Sequence, residues 1–445
     1  MAAKWTTDAN AALCLRLAGA PAPQDAVFHP EFTYPIFGDA ETIFGYTGLR
    51  IHLSMASGSL TPSLAVEYAE KNTKTTAKID DVDARMREFL PTDQLVSPEE
   101  LERTAESEAR GGAGAAEPLG ERVHSYSRSD SKKKRKWSLF SFGSARDKQD
   151  ADAEEEFVIF HATWDTPGFR EWQRRVRILT LLYIEGASYL DEDETNWEFY
   201  LLYRRVKGVD GDAWHFVGYT SLYRFWCWPD QVRLRLSQFL ILPPYQGQGH
   251  GSRLYATIVS RMLADEQVCE LAVEDPSEAF DHLRDAGDLR RLSSTFGAEA
   301  RRSGHLRAPV DREWSEAQRR ANKLAPRQWA RLLEMLQLLA LEDADEEQLR
   351  AYRLQVKARL YRKNREVLQQ VPKAQRLDKL QETFESVVDE YSELTGAEVP
   401  EALLEAPEHD EAPLDIPPAL GRAARAFVSH GDEEGPRKAQ RLGYC

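Results

Sequence analysis

The spacing of hydrophobic and polar positions changes along the chain, and each change predicts a different kind of element. Up to about residue 95 the two classes alternate between turn signals, as in AVFHPEFTYPIFGDAETIFGYTGLRIHLSMASGSL, which predicts short strands and hairpins. From about Pro98 to Glu154 the alternation stops, in ELERTAESEARGGAGAAEPLGERVHSYSRSDSKKKRKWSLFSFGSARDKQDADAEEE, rich in Glu, Ser, Ala, Gly and Arg. With few large apolar side chains, such a segment buries too little surface to offset the entropy of ordering it. Residues 98–154 are therefore expected to form a disordered low-complexity insert.

Alternation returns in FVIFHATW at 157–164, followed by a helical period from Phe169 to Tyr189, with Thr166 and Pro167 as its start signals. Three strand-like runs come next, NWEFYLLYRRV, WHFVGYTSLYRFWCW and VRLRLSQFLIL, joined by the turns GVDGDA and PDQ; they predict an antiparallel meander. After a glycine-rich stretch the pattern predicts a helix in SRLYATIVSRMLADE, a strand in VCELAV and a further helix beginning EDPSEAFDHLRDAGDLRRL. Beyond residue 312 the period is helical throughout, up to a Pro- and Glu-rich tail. The expected divisions are thus 1–97 (strand-rich), 98–154 (insert), 155–300 (core), 301–397 (helical) and 398–445 (disordered acidic tail).

Composition narrows the chemistry. In 445 residues, 58 basic against 73 acidic side chains leave a net charge of −15, which argues against nucleic-acid binding because phosphates are held by Lys and Arg. The balance suits a basic partner, and equally an acidic surface that maintains solubility. Cys14, Cys227, Cys269 and Cys445 form no CxxC pair, and no His/Cys cluster has zinc spacing, so neither a disulfide framework nor a metal is expected. The N-terminus lacks a basic region followed by a long apolar core, and ILTLLYI at 178–184 is too short to cross a bilayer. No membrane association is expected, and the compartment is expected to be cytoplasm or nucleus. KKKRK at Lys132 to Lys136 is a candidate nuclear-import signal or a solvated charge run.

The stretch LILPPYQGQGHGSRLY, Leu240 to Tyr255, places Gly247, Gly249 and Gly251 between an expected strand and an expected helix, a geometry that gathers backbone N–H groups on an anion. A nucleotide P-loop requires a Lys where Ser252 stands, and a dinucleotide fold requires GxGxxG rather than GxGxG. Coenzyme A and a bare glycine turn remain.

QGQGHG at Gln246 to Gly251 is similar to the Q/R-x-x-G-x-G/A signature of the GNAT acetyltransferase superfamily, and the order meander, glycine loop, helix, strand, helix resembles the core of that fold. FGDAETIFGYTGLRI at Phe37 to Ile51, SQFLILPPYQGQGHGSRLY, and VEDPSEAFDHLRD at Val273 to Asp285 resemble the type B histone acetyltransferase catalytic subunits. The likeness spans nearly the whole chain except the 98–154 insert and the tail. It implies an α+β fold: a GNAT acetyltransferase core with an N-terminal mixed α/β domain and a C-terminal α-helical domain.

The resemblance also implies acetyl-CoA as co-substrate. Its pantetheine would pair with the strand backbone at Phe239, Leu240 and Ile241, and its pyrophosphate would rest on the amides of Gln246, Gly247, Gln248, Gly249, His250, Gly251 and Ser252; Ser277 is a further contact. A lysine amine, with a pKa of about 10.4, must lose a proton before it attacks a thioester. By resemblance Glu274 is the general base, with Asp275 and Glu185 as further functional acids; without it, Glu274 and Asp275 read equally as a helix cap before Pro276. Asp39, Glu41, Trp197, Tyr223, Arg224 and Phe225 are candidates for binding a basic histone H4 tail. The family implies a WD-repeat histone-binding subunit as partner and work in both cytoplasm and nucleus. The competing readings are a GNAT enzyme acting on a polyamine or other small amine, and a histone-binding scaffold without turnover.

Overall fold

The structure, a computed structural model, describes residues 2–21, 26–74, 76–128, 155–342 and 344–405. The KKKRK run and the chain beyond residue 405 lie outside the described residues. The chain divides into two compact units, one running to Arg291 and resuming over Ser315–Ala330, the other made of Leu292–Trp314 and the residues from Arg331 on.

The first unit begins with a three-stranded sheet, β1 (Leu13–Ala18), β2 (Arg50–Ala56) and β3 (Pro62–Glu67), in which β1 pairs parallel to β2 and β2 antiparallel to β3. Alternate residues Leu13, Leu15 and Leu17 on β1 and Ile51, Leu53 and Met55 on β2 are buried, as a half-buried strand requires. Helix α1 (Pro98–Arg110) follows, where the composition predicted disorder. Its ends are well specified: Ser97 Oγ accepts the Glu100 amide at 3.2 Å, Pro98 opens the first turn, and Gly111 closes the helix at φ +80°. Leu101 and Ala105 are buried against Ala18 and Ala56, so small residues suffice for its packing.

The remaining strands, β4 (Glu121–Arg128), β5 (Glu155–Thr163), β6 (Trp197–Lys207), β7 (Asp212–Cys227), β8 (Gln231–Ile241) and β9 (Val268–Val273), form a six-stranded sheet in the spatial order β9-β8-β7-β6-β5-β4. All neighbours are antiparallel except β8 and β9. The expected meander is β6 to β8, and β4, inside the supposed insert, is the far edge strand. Helix α2 (Phe169–Tyr183) stops short of the predicted Tyr189 because Ile184 is extended and Gly186 turns the chain at φ +71°. Helices α3 (His250–Ala264) and α4 (Glu278–Leu292) flank β9 in sequence. One hydrophobic core runs from Leu13 and Leu53 through Phe157, Leu201 and Tyr219 to Leu254, so residues 1–97 and the meander share a core and are not separate bodies.

Helices α5 (Arg312–Ala321) and α6 (Pro326–Leu338) lead into α7 (Glu346–Lys363) and α8 (Lys373–Thr395). In the second unit the buried Glu334 accepts from Nε and one Nη of Arg359, each at 2.7 Å, and from the Tyr391 hydroxyl at 2.9 Å, a satisfied buried carboxylate. Glu401–Leu404 is helical and Leu403 is buried, so order continues past residue 398, where the tail was expected to begin.

Candidate active site

Strand β8 runs beside β9 only as far as Leu236, opposite Val273; the Glu274 amide still donates to the Leu236 carbonyl at 2.9 Å. Beyond that point β8 continues to Ile241 against β7 alone. Leu242 N–H donates to the Val217 carbonyl at 2.9 Å, so by the alternation of an antiparallel ladder Leu240 also bonds to β7. The backbone groups of Phe239 and Ile241 therefore face the side that β9 has left, where an extended ligand can add to the edge. Of the three predicted strand contacts, Phe239 and Ile241 offer backbone there and Leu240 does not. The Ile241 carbonyl already accepts the Gln246 side-chain amide at 2.8 Å.

The glycines have separate duties. Gly247 (φ +68°) and Gly249 (φ +85°) hold left-handed conformations with open space where a Cβ would stand. Gly251 instead lets α3 approach α4: a Cβ there would lie 2.8 Å from Leu283 Cδ1. Gly249 caps α3 without a side-chain bond, which leaves the first-turn amides of His250, Gly251 and Ser252 at the positive end of a 15-residue helix. Gln248 is tied down, donating to the Pro244 carbonyl at 2.9 Å and accepting from Arg128. The His250 ring points inward, 2.7 Å from the Tyr126 hydroxyl through Nδ1 and with ring centroids 4.2 Å from Phe157. Burial, aided by the Arg128 and Arg204 guanidinium groups, brings its pKa down to about 4. His250 thus offers a ligand its amide, while its neutral side chain anchors the loop. Ser277 receives the Phe280 amide at 3.3 Å and caps α4; that bond is its observed role.

Glu274 stands where β8 and β9 part. Its carboxylate accepts a hydrogen bond from the Ser237 hydroxyl and lies 3.4 Å from Arg235 Nε. Asp275 follows at φ +35°, and neither it nor Glu185 has a polar partner among the described residues. Glu185 is exposed, beyond the end of α2 rather than on it. Its turn is held from two sides: Gln238 of β8 donates to the Ser188 carbonyl at 3.0 Å, and Tyr34 Oη, in the short helical turn Tyr34–Phe37, accepts the Gly186 amide at 2.6 Å.

On the face of the sheet that carries Glu274, Trp197 stands directly opposite Tyr223, and Tyr223 opposite Arg235. The Trp197 and Tyr223 rings meet edge to face at 4.9 Å and those of Tyr223 and Phe225 at 4.5 Å, an aromatic wall beside the carboxylate. Trp197 is itself buried and forms the base of that wall. Arg224 corrects the predicted set: it points to the opposite face, paired with Asp265 at 3.0 Å and Glu198 at 3.7 Å. Glu41 is a second correction, since its carboxylate is occupied by the Thr33 and Tyr34 amides at 2.6 and 3.0 Å and by Asn10 at 3.1 Å. It supports the Tyr34 turn that holds Gly186. Asp39 remains exposed.

Ser237, Arg235, Gln238, Tyr126 and Arg128 are absent from the sequence-derived set. Arg235 and Ser237 could have been found by laying the meander strands side by side, whereas Tyr126 and Arg128 required β4 to be recognised as a strand.

Residues 5–185 match the family described as "Histone acetyl transferase HAT1 N-terminus", residues 159–283 the acetyltransferase (GNAT) family, and residues 285–342 the family described as "Fungal HAT1, C-terminal". The chain is 51% identical over 413 residues to the histone acetyltransferase type B catalytic subunit of Mycosarcoma maydis, covering 91% of each chain. It is 44% identical over 421 residues to that of Cryptococcus neoformans var. neoformans serotype D, covering 88% of this chain and 98% of the relative. With that of Candida albicans it shares 34% identity over 407 residues, covering 88% and 90%. The splayed strands, the glycine loop and these likenesses lead to one conclusion: the chain is an acetyltransferase of the GNAT fold and belongs to the family of type B histone acetyltransferase catalytic subunits.

Proposed function

We propose that this enzyme acetylates lysine side chains in the N-terminal tail of newly synthesised histone H4 before chromatin assembly. The observation that carries the reading is the placement of Glu274 at the parting of β8 and β9, hydrogen-bonded to Ser237 and beside Arg235, which lies over the Phe225 ring. Bound acetyl-CoA supplies an activated thioester. The edge backbone of Phe239 and Ile241 aligns an extended chain, and the free amides at the start of α3 receive negative charge.

Glu274 takes the proton from the lysine ammonium, directly or through the Ser237 hydroxyl, and leaves an amine lone pair free to attack. The aromatic wall excludes water and accommodates the aliphatic stem of the lysine, while the carboxylate attracts its charged end. Asp275 and Glu185, neither with a polar partner among the described residues, add negative charge and suit a basic peptide. We extend the family resemblance to a WD-repeat histone-binding subunit as partner and to work in cytoplasm and nucleus.

A radiolabelled acetyl-transfer assay comparing an H4 tail peptide, an H3 tail peptide and spermidine tests the reading. The expected result is preferential labelling of H4; equal labelling of H3, or preference for spermidine, would overturn it.

A further inference from the structure

Arg235 is a cation fixed beside the base of an enzyme whose substrate is also a cation. Its guanidinium carbon lies 4.6 Å from the Phe225 ring centroid, and its Nε lies 3.4 Å from Glu274 Oε2. Those are the two features by which a protein recognises a lysine side chain, an aromatic face and a carboxylate. The contacts are loose. Arg235 Nε is buried yet lacks hydrogen-bond geometry to any partner among the described residues, and the two side chains of the ion pair are 35% and 39% exposed. The next acid along β9 behaves differently: Glu270, only 13% exposed, is held by Arg233 at 3.1 Å and by Arg319 at 3.0 Å. One carboxylate of the strand is thus closed by two arginines, and the other is covered by a single guanidinium at longer range.

We propose that Arg235 is a specificity-determining residue: in the free enzyme its guanidinium fills the place between Phe225 and Glu274 that the substrate ammonium takes, and it must swing aside for acetyl transfer. The proposal rests on the reading of Glu274 as the base. Half-exposed pairs of this kind shift an equilibrium by about fivefold at most, so displacement is readily driven by flanking contacts from a peptide. A small free amine brings no flanking contacts and meets the resident cation unaided. Arg235 accordingly raises the threshold for small amines more than for a histone tail.

The test is steady-state kinetics of the full chain carrying Arg235→Gln or Arg235→Lys, with an H4 tail peptide and with spermidine. Arg235→Gln is expected to lower KM for spermidine by about fivefold and to lower KM for the peptide by less, with kcat held within about twofold. Arg235→Lys, which keeps a cation on the strand, is expected to stay near the parent enzyme. Unchanged or raised KM values in Arg235→Gln would overturn the proposal. So would a kcat loss of about tenfold or more at constant KM, because it would mean that Arg235 orients Glu274 instead. Should the Gln variant fail to fold, Arg235→Met repeats the test with the same outcomes. Glu274→Gln, measured alongside, is judged by kcat, so failure of the base reading is distinguishable from failure of the Arg235 reading.

Discussion

Tyr223 and Arg224 are neighbours on β7, and their side chains enter two different environments. On the Tyr223 face, Trp197, Phe225, Arg235, Ser237 and Glu274 form a wall and an open ion pair. On the Arg224 face, the same kinds of residue close on one another: Glu198 receives His161 at 3.2 Å and Arg224 at 3.7 Å, Arg224 reaches Asp265, and Arg261 donates to the Tyr200 hydroxyl at 3.3 Å. Composition does not separate the faces. What separates them is helix α3, whose Arg261 and C-cap residue Asp265 complete the polar contacts of one face, while β9 parts from β8 beside the other. Charges that have found partners within the fold contribute to stability, and those left partly exposed are available for chemistry.

The largest effect that would sharpen this contrast is expected from Glu274→Gln. It should lower kcat by about 10²–10⁴ with little change in stability, measured by acetyl transfer and urea unfolding together. A second effect concerns protons rather than turnover. His215, through burial and the nearby Arg204, has its pKa lowered to about 4, as does His250. Both fold as neutral rings, so their stabilisation is complete above about pH 6.5 and is lost as pH falls toward 4, where the unfolded chain binds protons that the folded chain refuses. Unfolding between about pH 6.5 and 5 should therefore take up protons, and His250→Gln should lower that uptake by about one.

Gly249→Val forces a β-branched residue into a left-handed turn at a cost of about 1–2 kcal/mol, and should raise KM for acetyl-CoA about tenfold while leaving KM for peptide unchanged. The smallest effect should come from Arg224→Gln: kcat and both KM values unchanged, stability lower by about 1 kcal/mol in urea titration. A loss of activity in that variant would break the distinction between the two faces.

Much of this arrangement was legible in the sequence. The meander strands announce themselves by alternation, and the glycine spacing marks the start of α3. Helix α1 was hidden because its low apolar content outweighed the cap signals Ser97, Pro98, Glu99 and Glu100, although burying Leu101 and Ala105 against small residues was sufficient. Arg224 was grouped with Tyr223 and Phe225 because contiguity was followed instead of the period of two. Glu41 and Gln238 were beyond reach for another reason, since their roles depend on partners 7 to 50 residues away that only the tertiary fold brings near.

The edge hairpin of the sheet has a practical use. Strands β4 and β5 are in register up to Arg128 opposite Glu155, so the two chain ends flanking residues 129–154 already stand side by side at pairing distance. That is the geometry of a cloning site. A two-residue Asn-Gly turn can join Arg128 to Glu155, or a reporter domain with adjacent termini can be mounted there, while Tyr126 and Arg128 keep their hold on the glycine loop.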